Sequence, residues 1–179
     1  VSMKSVGEAM SIGRTFKEAL QKGLRSLEIK KYGLESSLFD DLTKINVDNG
    51  TLDKIYQKLR APNAERIFYI GDALRAGITL DKICELTKID RWFLHNIREV
   101  ITLEKDIVRN KNNLTKELLT SAKEYGFSDR QLSRLLGKKE EEVRSLRKSF
   151  NLEPAFKLVD TCAAEFQAFT PYYYSTYDK

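Results

Sequence analysis

One histidine, two cysteines and a cluster of tyrosines are the residues on which chemistry could turn in this chain. His95 stands in the middle of a helical pattern, with Glu99 four positions on and no cysteine nearby. One imidazole and one carboxylate fall short of the ligand set that a zinc site takes. The expectation for His95 is a surface or boundary role. Cys162, within Asp160-Thr161-Cys162, becomes a nucleophile only if a base or a helix N-terminus lowers its thiol pKa. The sequence sets no base beside it, so a packed structural role is expected. Cys84 lies among apolar residues of a helical stretch, where a free thiol behaves as a small hydrophobe. No phosphate-binding glycine loop and no GxSxG nucleophile turn occurs. No catalytic, cofactor-binding or metal-ligating residue is assigned.

Two features point toward nucleic acid. Tyr172, Tyr173, Tyr174 and Tyr177 have rings that could stack on bases; an aromatic strap against a neighbouring domain is the commoner use of such a run. Ser128 to Lys148 has the outline of a helix-turn-helix, with a turn at Gly137 and a second helix bearing Arg144, Arg147 and Lys148. A recognition helix meets the bases with its first residues, and here those are Glu140, Glu141 and Glu142, which phosphates repel. An acidic start and a basic end suit the macrodipole of any exposed helix. A helix-turn-helix nucleic-acid-binding domain is therefore the alternative, not the main reading.

The elements that must position these groups are mainly helical. In 179 residues there are only 9 Gly and 3 Pro, which leaves room for long regular segments. A hydrophobic fraction of 41% is enough for a core, and the length suits one ordinary domain. The formal charge is +5, but the basic residues are interspersed with 26 acidic ones, as on a solvated surface. No apolar run is long enough to span a membrane, and no signal-peptide pattern opens the sequence. With two distant cysteines, a reducing, cytoplasmic compartment is expected.

Thr15 and Glu18 have capping-box spacing, and Phe16, Ala19, Leu20, Gly23, Leu24 and Leu27 follow as one stripe. Residues 29–51 predict a long loop with one short helical turn near Leu38–Lys44. Thr51 is expected to cap a helix carrying Leu52, Ile55, Tyr56 and Leu59 that stops before Pro62. Asn63 opens the next, with Ile67, Phe68, Ile70 and Leu74 inward and Gly77 at its C-terminal cap. An internal repeat follows. Gly77-Ile78-Thr79 leads into a short helix, a turn near Ile89-Asp90 and a longer helix with Phe93, Leu94, Ile97, Val100 and Ile101. Forty-nine residues later, Gly126-Phe127-Ser128 leads into Leu132 and Leu135, a turn near Gly137, then Val143, Leu146 and Phe150. Thr115 caps the helix between the units, and Ser128 with Gln131 fits a second capping box. Trp92 and Phe93 are expected in the core. After Asn151 the helical period ends and the chain reads as extended. The fold class is mainly α: a helical domain with two αα-hairpin-like units and extended, irregular termini.

The termini lack the apolar period of a self-sufficient helix, as edges of something larger do. The stretches KSVGEAMSIGRTFKEALQKGLRSLE, RIFYIGDALRAG, IDRWFL, GFSDRQLSRLLG and VDTCAAEFQAFTPYYYSTYDK, in this order, closely resemble the large chain of carbamoyl-phosphate synthase. The resemblance covers nearly the whole chain and is weakest over residues 29–50. It implies the central oligomerisation domain of that family, which lies between two ATP-grasp synthetic units. On this basis residues 1–14 are the end of the first unit, 15–153 the helical oligomerisation domain, and 154–179 a connector toward the second. The resemblance further implies a parent ligase that makes carbamoyl phosphate from bicarbonate, glutamine-derived ammonia and two ATP, for arginine and pyrimidine synthesis. Its ATP and Mg²⁺ or Mn²⁺ sites belong to the synthetic units, so none transfers to a residue here. The partners implied are the two ATP-grasp units, a glutamine amidotransferase small chain and a second copy; neither nucleic acid nor membrane is expected. For this segment the expectation is a noncatalytic spacer. Candidate association residues lie on helices 52–59, 63–76 and 91–108.

Overall fold

A computed structural model describes residues 8–162, 165–167 and 170–178. Lys4–Gly7, Ala163, Ala164, Ala168, Phe169 and Lys179, which belong to the terminal stretches quoted above, lie outside the described residues. The described chain is mainly α, with eight helices and one two-stranded sheet. The helices are α1 (Phe16–Ser26), α2 (Asn49–Arg60), α3 (Arg66–Arg75), α4 (Leu80–Thr87), α5 (Arg91–Arg109), α6 (Lys116–Glu124), α7 (Asp129–Leu136) and α8 (Glu140–Ser149). Strands β1 (Ala155–Leu158) and β2 (Tyr173–Thr176) pair antiparallel, with Ala155 opposite Thr176 and Leu158 opposite Tyr173.

Helix α5 is the hub. It packs against α1, α3, α4, α6 and α7, because its apolar residues Leu94, Ile97, Val100, Ile101 and Ile107 recur at helical spacing and are all buried. Helix α3 supplies the opposite wall, with Phe68, Tyr69, Ile70, Ala73 and Leu74 buried. Phe127, Leu132 and Val143 extend the same core into the second hairpin.

The repeat is real at the level of the backbone. Helices α3 and α6 both end in a Schellman motif. In the first, the Gly77 N–H donates to the Leu74 carbonyl and the Ile78 N–H to Ala73; in the second, Gly126 donates to Lys123 and Phe127 to Ala122. Both glycines have positive φ, +83° and +87°. Thr79 and Ser128 then cap α4 and α7 by accepting from the Lys82 and Gln131 N–H groups.

Several local expectations are corrected. Helix α2 begins earlier than expected, because the Asp48 carboxylate rather than Thr51 is its cap and accepts from the Thr51 N–H at 2.7 Å. Residues 38–44 form no helix; Asp41 Oδ1 takes both the N–H and the hydroxyl of Thr43, a local bond that competes with helical pairing. Thr15 does cap α1, but Glu18 returns to the Arg14 N–H instead of the Thr15 N–H. Ser128 caps α7, while the Gln131 amide makes no return bond. On α1 the buried face carries Glu18 and Gln21 beside Leu24, and Leu27 is left exposed. Gln21 faces inward because its Oε1 accepts the Leu34 N–H at 2.6 Å, which pins the long loop to the core.

Candidate functional site

Most of the chemistry-bearing residues are kept apart. His95 is on the exposed face of α5, beside Arg98. Cys84 is free and packs against the core from α4. Cys162 is free and half-buried, with its N–H donated to Asp160 and its thiol near the Thr161 hydroxyl. Tyr172 and Tyr173 are exposed, whereas Tyr174 and Tyr177 are half-buried. Among the described residues, no three metal-ligating side chains come together in a form that could hold an ion.

Two charged clusters that single residues did not announce are assembled instead. Arg75, on α3, is buried with its guanidinium between Asp72, at 2.9 Å, and Glu104 of α5, at 2.7 Å. The same guanidinium donates to the Leu34 carbonyl, and Asp72 accepts the Ser37 N–H at 2.9 Å. Burial opposes the Arg75 charge, but Glu104 and Asp72 outweigh it and hold its pKa above the ordinary value. A signal for this cluster existed in the sequence: Glu104 occupies an inward phase of α5, three residues after Ile101 and three before Ile107.

The second cluster is in the other hairpin. Lys123, near the end of α6, donates to Asp129 and to the Phe127 carbonyl, each at 2.7 Å. Arg147 of α8 reaches the other Asp129 oxygen at 3.2 Å and donates to the Leu152 carbonyl. Both cations lie over the ring of Tyr177. Burial pushes the Lys123 ammonium down to about 8, against the raising influence of Asp129. Burial works against the Asp129 carboxylate too, but Lys123 and Arg147 prevail and its pKa lies below the ordinary value. Arg147 is thus buried at a protein seam, leaving Arg144 and Lys148 as the exposed cations of α8. A groove-reading helix needs such side chains facing outward.

The seam is where two remote segments meet. Residues 12–14 precede α1, and both they and β2 reach the side chains of Glu18 and Lys22 on that helix. Arg14 pairs with Asp178 at 3.1 Å, and Thr176 is 1% exposed although it belongs to an edge ribbon. A cavity of about 250 Å³ lies along this seam, lined by Glu18, Lys22, Arg25, Lys123, Ser175 and Tyr177 among others.

A different face is apolar and open. Phe16 of α1 with Trp92 and Phe93 of α5 form three mutual edge-to-face contacts with centroids 5.0–5.3 Å apart. Trp92 is 56% exposed and Phe93 42%, which corrects their expected place in the core. Trp92 falls outside the inward phase of Leu94, Ile97 and Ile101; Phe93, four residues before Ile97, shares that phase but stands in the first turn of α5, where its ring meets Phe16 and Trp92.

The family model described as "Carbamoyl-phosphate synthetase large chain, oligomerisation domain" matches residues 8–151. A protein of Aquifex aeolicus named "Carbamoyl phosphate synthase large chain, N-terminal section" is 53% identical over 177 residues, covering 99% of this chain and 30% of that relative. The carbamoyl phosphate synthase large chains of Archaeoglobus fulgidus and Vibrio cholerae are each 48% identical, over 98% and 99% of this chain and 16% of each relative. The chain therefore spans less than a third of the length of these relatives. Nothing in these matches points to nucleic-acid binding.

Proposed function

Because the chain belongs to the family of the carbamoyl-phosphate synthetase large chain, oligomerisation domain, we propose that it is the helical section that spaces and joins the parts of a longer large chain. The carrying observation is the family match over residues 8–151, in a chain that covers only 16% of full-length relatives. The parent would make carbamoyl phosphate from bicarbonate, ammonia released from glutamine by a small-chain partner, and two ATP, in a cytoplasmic setting that serves arginine and pyrimidine synthesis. The nucleotide and its Mg²⁺ or Mn²⁺ belong to ATP-grasp units outside this chain. The division proposed is residues 1–14 and 154–179 as junctions to the first and second units, with 15–153 as the helical body. No described helix is long and apolar enough to cross a membrane.

The association face we assign is the aromatic group at the start of α5. Of the helices that carried candidate contact residues, only α5 leaves large apolar side chains exposed, namely Trp92 and Phe93. Sedimentation of the chain over a wide concentration range tests this. Self-association is expected, weakened at least about tenfold in Trp92→Ser/Phe93→Ser. A strict monomer at high concentration overturns the association reading, and unchanged association of the double variant overturns the assigned face. ATP hydrolysis by the purified chain above a blank preparation would overturn the noncatalytic role.

A further inference from the structure

Glu18 and Lys22 stand four residues apart on α1 and are ion-paired at 2.8 Å. Their side chains are only 3% and 14% exposed, unlike an ordinary surface pair at this spacing. Each partner holds one group from the segment before α1 and one group from β2. Glu18 Oε2 accepts from the Arg14 N–H at 2.7 Å and from the Thr176 hydroxyl at 3.2 Å. The Lys22 ammonium donates to the Ile12 carbonyl at 2.8 Å and to the Ser175 carbonyl. An ammonium has three N–H donors, and Ile12, Ser175 and Glu18 take all of them.

Helix stabilisation alone does not account for this arrangement. A pair that merely strengthened α1 would need neither burial nor partners up to 158 positions away. Each segment also has anchors of its own. The Ser11 hydroxyl donates to the Ala19 carbonyl at 2.8 Å, and β2 is held by its ladder to β1 and by the cations over Tyr177. What Glu18 and Lys22 add is that the two segments become one body. Arg14 and Asp178 repeat the tie on the exposed side.

We propose that the Glu18–Lys22 pair is a positioning clamp that fuses residues 12–14 and 175–178 into a single junction, so that the two synthetic units of the parent chain are held from one anchorage and their turnovers stay coupled. This rests on the function proposed above. Two units on separate hinges would sample many relative orientations, whereas units leaving one rigid seam have their relative orientation restricted. Neither side chain acts on a reacting atom.

The test has two arms. Hydrogen exchange on the 179-residue chain reads the clamp itself. Lys22→Met keeps the aliphatic stem and removes all three donors. It is expected to raise exchange by about tenfold or more at residues 12–14 and at 175–178 together, with α5 unchanged. Ser11→Ala should affect only the first segment. Loss of protection in one segment alone, or in neither, overturns the clamp. If Lys22→Met also exposes α5, Glu18→Gln, which keeps shape and loses charge, is read in its place. The second arm uses the full-length parent. Lys22→Met should raise the ATP consumed per carbamoyl phosphate formed several-fold, while each unit's own ATP turnover stays within about twofold, and Lys22→Arg should restore the ratio. An unchanged ratio in a variant whose seam has loosened overturns the coupling role. A wild-type parent that makes no carbamoyl phosphate sinks the proposed function instead, and the exchange arm still decides the clamp.

Discussion

The hairpin formed by α3, α4 and α5 and the one formed by α6, α7 and α8 follow the same backbone course and use their charges in opposite ways. Each has the Schellman glycine, the hydroxyl cap and the short helix at the same offset, and each turns into its last helix through a left-handed residue, Lys88 in one and Gly137 in the other. In the first hairpin the last helix has 19 residues and runs through the core, so Arg75 meets its carboxylates away from water. In the second the last helix has 10 residues, and its Arg147 joins Lys123 under the tail residue Tyr177. Copying a backbone motif copies caps and turns; what the side chains do is set by whatever packs on top.

The sharpest way to test this contrast is to remove one arginine from each hairpin. Arg75→Met strands the buried Asp72 and Glu104 and should destabilise by about 3–5 kcal/mol in urea unfolding. Arg147→Met leaves Asp129 with Lys123 and should lose about 1–2 kcal/mol. Equal losses would erase the distinction. The paired glycines come next. A Cβ on Gly77 meets nothing within 4 Å, whereas one on Gly126 would lie 3.0 Å from the Glu18 backbone and 2.9 Å from the Gln21 side chain. Gly77→Ala should lose about 1–2 kcal/mol for the left-handed backbone alone. Gly126→Ala should lose roughly 2–4 kcal/mol, because the steric conflict with α1 adds to it. A melting series on the two variants decides it.

A pH slope carried by the second hairpin is a further test, comparable in size to the loss of Gly77 or Arg147. The Lys123 ammonium titrates at about 8 when folded and at its ordinary 10.5 when unfolded. Between those values the unfolded chain binds more protons, so stability rises with pH as the burial penalty on the charge is relieved. The wild type should gain on the order of 2 kcal/mol relative to Lys123→Met between about pH 8 and pH 9.5. Asp129, Arg147, Arg25 and Tyr177 surround the group, and the variant keeps all of them, so the difference isolates Lys123. A flat difference across that range would show that pairing with Asp129 outweighs burial.

Much of the helical frame was legible because its signals are local. Thr15, Thr79, Thr115 and Ser128 cap the helices they precede, and Gly77 and Gly126 end theirs, since a cap depends on residues within one turn. The repeat was legible for the same reason. The polar interior was not. Gln21 is buried because of Leu34, Arg75 because of Glu104, and Arg147 because of Asp129, partners 13 to 29 positions away. An amphipathic stripe counts apolar residues and is silent on polar ones that enter the core already paired. Trp92 and Phe93 failed in the other direction: Trp92 is apolar but out of phase with the inward stripe, and Phe93 is in phase with it but sits in the first turn of α5 and is 42% exposed.

The sequence by itself therefore determined the family, the helical class, the repeat and most helix ends, because these depend on similarity along the chain and on interactions within a few residues. Tertiary structure alone decided which charges go inside, which aromatic rings stay outside, and that residues 12–14 and β2 share one ion pair on α1. Those outcomes require groups that are distant in the chain to arrive at one place, and a buried charge is tolerated only where its partner has also arrived.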